Sequence, residues 1–142
     1  MIEYDKFARS LTHLYSQFNN YKTLDATQPK LIQEAVAESV IQRFETCYDC
    51  MWKVLKRYLF EELGLPDVPN SPKPIFRRAN ENSLLPSPIE TWLSYADART
   101  STAHDYSGEK AIECLKLTGD FIQDAATLYE VMNGKRLEWK HQ

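Results

Sequence analysis

Apolar residues recur at helical spacing along most of this chain. Over residues 2–24, Phe7, Leu11, Leu14, Phe18 and Tyr21 fall three and four apart and paint one stripe. Pro29 suits a first helical position. From it Ile32, Val36, Val40, Phe44, Cys47, Met51, Leu55, Tyr58 and Leu59 run on to Gly64, a natural C-terminal stop. At about 1.5 Å per residue such a helix is roughly 50 Å long. A helix of that length needs partners all along it, as in an up-and-down bundle.

Two breaks divide the rest of the chain. "GLPDVPNSPKP" (64–74) is the longer, and Ser71 is placed to cap a short helix reaching about Asn82. "SLLPSPIE" is the second. It reads as a capping box, with Ser87 as N-cap, Pro88 first in the helix and Glu90 three residues beyond the cap. The next helix turns Ile89, Trp92, Leu93 and Ala96 inward and ends near His104. Ser107 opens a last helix with Ile112, Leu115, Phe121, Ile122, Ala125, Leu128 and Met132 on its core side and Gly134 at its end. No strand pattern, repeat or low-complexity segment is visible. The pattern predicts an all-α, up-and-down helical bundle of four to five helices, as a single domain over residues 1–142.

Composition narrows the function classes. A chain of 142 residues with formal net charge −3 holds one real core and is not a general nucleic-acid coat protein, which would be basic overall. Contact with phosphate therefore requires a local patch. "MIEYDKFARS" does not resemble a signal peptide, no apolar run approaches a membrane span, and the 3 cysteines suit a reducing compartment. A cytoplasmic location is expected. The glycines at 64, 108, 119 and 134 lie too far apart for a phosphate-cradling loop. This chain alone is not expected to bind a nucleoside triphosphate, and no cofactor is expected.

Cys47 and Cys50 form a C-x-x-C, but in the middle of the long helix, with no second pair and no histidines at ligand spacing. They and Cys114 are expected as core filler, with no metal site. His13, beside the apolar stripe of the first helix, and His141, in the tail, are assigned no role. Two basic clusters remain: Lys53, Lys56 and Arg57 on the long helix, and Arg77 with Arg78 on the short one. Singly each reads as a solvated charge with local pairs, to Glu61 for example. Together they are candidate RNA-binding residues, the local patch that the acidic total demands.

The densest chemistry lies in "YADARTSTAHDYSGEKA" (95–111), which holds Arg99, His104 and Tyr106. On a continuous helix Arg99 and Tyr106 share a face and His104 lies about 140° round; unwinding after Ala103 would bring imidazole and guanidinium together. Arginine grips a phosphate with two parallel donors, and histidine moves protons near neutrality. The amides opening the next helix add an anion site. The plain reading is a surface arginine, a helix-end histidine and a boundary tyrosine.

"RTSTAHDY" resembles the R-x4-H-x-Y motif of the HEPN superfamily, in its small stand-alone HepT-like members, also described as nucleotidyltransferase substrate-binding proteins. The resemblance covers residues 30–132. "CMWKVLKRYL" (50–59) is similar to that family's long helix, "SPKPIFRRANENSLL" (71–85) to its short helix and loop, and "TWLSYADARTSTAHDY" (91–106) to its motif helix.

The resemblance implies a four- or five-helix bundle that forms a homodimer, with two copies of the motif in one cleft. It further implies a metal-independent ribonuclease acting as the toxin of a toxin–antitoxin pair, with Arg99 and His104 at the catalytic positions. The antitoxin would be a cognate minimal nucleotidyltransferase, which in some pairs transfers AMP to the motif tyrosine, here Tyr106. Thr100 departs from the family's usual Asn, Asp or His beside the arginine and cannot titrate usefully. Two other readings stay open: a non-catalytic subunit presenting substrate to a two-component nucleotidyltransferase, and a helical scaffold with a vestigial motif.

Overall fold

The computed structural model describes residues 1–103 and 108–139. They form five helices, α1 (Asp5–Thr23), α2 (Lys30–Glu61), α3 (Pro72–Glu81), α4 (Ile89–Thr102) and α5 (Gly108–Asn133), with no strand among the described residues. The all-α expectation holds. Met1 and Arg57 both reach Glu61, so the start of α1 lies beside the end of α2 and the two helices are antiparallel. Phe7 contacts Tyr129, and Phe18 lies against Gly119, so α5 runs against α1. Arg99 meets Asp49 and Thr102 meets Glu45, so α4 runs against α2. The four larger helices thus alternate up and down, with α3 inserted between α2 and α4.

A closed ring of aromatic contacts ties α2, α3, α4 and α5 together. It passes from Phe44 to Tyr48, Phe76, Trp92, Tyr95, Phe121 and back to Phe44, with centroid separations from 4.8 to 6.0 Å. Each such pair adds about 0.5–1.5 kcal/mol beyond the area it buries. All six side chains are essentially buried. The ring fixes α4 against α2, and so fixes where α4 presents its last turn.

The predicted stripes are mostly the observed core, with corrections at helix starts. Ile32 is 47% exposed and Ile112 53% exposed, although both were expected inward. The described part of α4 ends opposite Glu45, so α4 covers α2 only from there onward. The capping box at Ser87 does not form. The helix begins at Ile89, Pro88 occupies the cap without a side-chain bond, and the Ser87 hydroxyl donates to Asp124 on α5 instead. That carboxylate also accepts from the Tyr95 hydroxyl at 2.5 Å. A charged tertiary acceptor has outcompeted the local cap. At the other end of the chain Gly134, at φ 73°, closes α5 in the left-handed conformation as expected, its N–H donating to Glu130.

Candidate functional site

Arg99 projects from the last turn of α4 towards α2. Its Nε lies 3.3 Å from Asp49 Oδ1 and its Nη2 3.1 Å from Asp49 Oδ2, a two-pronged contact. Its Nη1 donates to Glu45 Oε2 at 3.1 Å, and the buried Thr102 hydroxyl donates to the same oxygen at 2.9 Å. Glu45 and Asp49 stand one turn apart on α2 and share a face. Two carboxylates on one helix therefore fix the plane of a guanidinium on another. Tyr48 lies beside them, its phenol pushed up by burial and further by the Asp49 charge, with Arg99 pulling the other way.

This cluster borders an open groove of about 580 Å³, walled on one side by α2 and on the other by the start of α3. Arg99 and Thr100 line it together, with Trp52 and Lys73 among the facing groups. Thr100 donates its hydroxyl back to the Ala96 carbonyl at 3.1 Å, a local bond. Lys73 was not singled out from sequence. Its ammonium pairs with Asp97 at 2.6 Å, which ties the start of α3 to α4.

Electrostatically, Arg99 is set against two carboxylates and Lys73 against one. Around Arg99 the groove is therefore not strongly positive, and the value of the cluster lies in orientation. A guanidinium already held flat keeps its remaining N–H donors in a fixed orientation, with little side-chain freedom left to lose.

Of the other residues singled out from sequence, His104 and Tyr106 lie outside the described residues, as does Ser107. The structure does show that α4 ends at Thr102, so Arg99 stands in the turn immediately before them. Lys53, Lys56 and Arg57 are brought together on a second groove of about 520 Å³ further along α2. Arg57 pairs with Glu61 at 2.7 Å, which holds the Glu61 carboxyl below its ordinary value, and Lys56 donates to the neutral Asn70 amide at 2.8 Å. Arg77 is exposed on α3 and borders neither groove, while Arg78 donates to the Pro66 carbonyl at 3.3 Å and braces the wall of the second groove.

The cysteines sit as filler. Cys47 and Cys114 are fully buried, and burial pushes the Cys114 thiol up to about 12 and that of Cys47 higher still. Among the described residues no group of three or more His, Cys, Asp or Glu side chains is placed to hold a metal ion. Among them, too, no helix is long and apolar enough to cross a membrane.

Sequence and fold comparisons agree on the class. The chain belongs to the family described as nucleotidyltransferase substrate binding protein like, whose model matches residues 2–134. It is 30% identical over 105 residues to a Haemophilus influenzae protein named probable ribonuclease HepT, across 72% of this chain and 71% of that one. Among solved structures it resembles HI0074 from Haemophilus influenzae, described as the fold of a substrate binding domain of a nucleotidyltransferase. That match has a TM-score of 0.75 at 28% identity, over 91% of this chain and 96% of the other. A Thermus thermophilus protein matches with a TM-score of 0.60 at 28% identity, over 85% and 96% of the two chains.

Proposed function

We propose that this chain is a HEPN-type, metal-independent endoribonuclease, the toxin of a pair whose antitoxin is a cognate minimal nucleotidyltransferase. The observation that carries this reading is the placement of Arg99. The first residue of the R-x4-H-x-Y motif is held by Asp49 and Glu45 at the edge of an open groove, five residues before the motif histidine in sequence. The kinship with a protein named probable ribonuclease HepT supports it.

In this reading Arg99 grips the non-bridging oxygens of the scissile phosphate and stabilises the charge that builds there. His104 takes the proton from the ribose 2′-hydroxyl, and that oxygen attacks phosphorus as the bond to the 5′-oxygen breaks. The leaving oxygen is then protonated, by His104 or by its copy in the second protomer of a homodimer. The products are a 2′,3′-cyclic phosphate and a 5′-hydroxyl, with no redox partner or metal in the balance.

One observation favours a second reading, the non-catalytic substrate-binding subunit of a two-component nucleotidyltransferase. Two carboxylates already offset the Arg99 charge, as suits a structural arginine, and the family's description names substrate binding. Cleavage separates the two. The purified chain, sized by light scattering to establish the dimer, is incubated with RNA in EDTA. Cyclic-phosphate ends that appear without the nucleotidyltransferase and disappear on its addition support the toxin. Intact RNA throughout, with tight association to the nucleotidyltransferase, supports the subunit.

A further inference from the structure

The two grooves along α2 meet at one side chain. Trp52 lines both the groove that Arg99 borders and the groove that holds Lys53, Lys56 and Arg57. Their opposite walls share one continuous piece of chain: residues 65–68 and 70 line the second groove and residues 71–74 the first. Prolines at 66, 69, 72 and 74 stiffen that segment, so the wall stands without help from a ligand.

The face of α2 between them has a regular composition. Trp52, Lys56 and Phe60 are four residues apart, so they stack along one side of the helix over about 12 Å. Lys53 and Arg57 flank them. Trp52 is half-buried, and Phe60 is 59% exposed, too much for a core residue. The Lys53 ammonium lies 6.0 Å from the centroid of the Trp52 ring. Aromatic faces alternating with cations along a groove suit the bases and phosphates of a single strand, because every base has a face to stack and every linkage a charge. A duplex offers the phosphates but keeps its bases inside.

We infer that Trp52 is a base-stacking platform, and that the trough from Arg99 past Trp52 to Lys56 and Phe60 binds the single-stranded nucleotides adjoining the phosphate at Arg99. The inference rests on the ribonuclease reading for the role of Arg99. It supplies the positive charge that the Arg99 cluster lacks: Lys53 and Lys56 make no ion pair within 4.0 Å among the described residues, whereas Arg99, Lys73 and Arg57 each have a carboxylate partner.

The test is binding, kept apart from cleavage. In a His104→Ala background, a fluorescein-labelled single-stranded RNA of about twelve nucleotides, within the usual span of such grooves, is titrated by anisotropy against Trp52→Ala, Trp52→Phe and Lys56→Gln. Trp52→Ala should weaken binding at least about tenfold and Trp52→Phe less than about threefold, since phenylalanine keeps a face to stack on. Lys56→Gln should flatten the logarithmic salt dependence by about one charge. A blunt duplex of the same length should bind weakly and ignore Trp52.

Equal affinity of the Trp52→Ala and parent proteins for the single strand, with unchanged far-UV circular dichroism, overturns the inference. So does a Trp52→Ala protein that keeps RNA binding but loses association with the nucleotidyltransferase, which would make the trough a protein-docking surface. A parent chain that binds single strands through Trp52 yet never cleaves RNA leaves this inference standing and defeats the ribonuclease reading instead.

Discussion

Arg99 on α4 and Asp49 on α2 are joined through both carboxylate oxygens, at 3.3 and 3.1 Å. With side-chain exposures of 28% and 39%, the pair is partly screened by water. A double-mutant cycle on Arg99→Ala and Asp49→Ala, read by urea denaturation, should give a coupling of about 1 kcal/mol. Coupling near zero would mean that Asp49 does not hold the guanidinium in solution.

A second prediction concerns the fixing of α4. Asp124 accepts from Tyr95 and Ser87 and so replaces the capping box that α4 lacks. Asp124→Ala strands a phenol on a residue only 1% exposed and should cost about 1–3 kcal/mol. Asp124→Asn, which keeps an acceptor, should cost less. Equal stability of Asp124→Ala and the parent would show that the aromatic ring alone sets the position of α4.

These contacts mark what was legible in the sequence. Apolar periodicity located the four larger helices, because a buried stripe is a local pattern, and the proline-rich break with Ser71 located α3. Arg99 stood out because its motif is local too. Glu45 and Asp49 did not, being about fifty residues from Arg99 in sequence and two acids among many on a long helix; the available signal was their spacing of four beside Tyr48 and Trp52. Ser87 misled because its partner lies on α5. Ile32 and Ile112 fit their stripes, yet periodicity does not say where a neighbouring helix stops.

Buried thiols give a pH dependence of definite sign. The Cys114 thiol is raised from 9.0 to about 12, and Cys47 is raised further by its complete burial. The native state keeps protons that the unfolded chain releases, so this contribution is full below pH 9 and is lost as pH climbs towards 12. The urea midpoint should fall above pH 9. At pH 8 a thiol reagent should react quickly only with the half-buried Cys50, and with all 3 cysteines after denaturation. Rapid labelling of Cys47 in the native protein would contradict the packing.

Tyr106 is the proposed switch. An adenylyl group on its hydroxyl would add a phosphodiester charge able to compete for Arg99, seven residues earlier in the sequence, and a bulk able to hinder RNA entry. Co-expression with the cognate nucleotidyltransferase should add one or more AMP masses to the intact chain, and Tyr106→Phe should abolish the increase. An unmodified chain that is silenced only within the complex would mean inhibition by occlusion.

The most direct test of the account is single-turnover RNA cleavage in EDTA by the parent, Arg99→Lys and His104→Ala proteins. Lysine keeps the charge of Arg99 but not its planar fork, and alanine removes the proton carrier. The account predicts that Arg99→Lys loses at least about a hundredfold in rate and that His104→Ala has no detectable activity. Both variants should keep the parent's helical content and dimeric mass. Full cleavage by either purified variant would contradict the assignment of the reaction to Arg99 and His104.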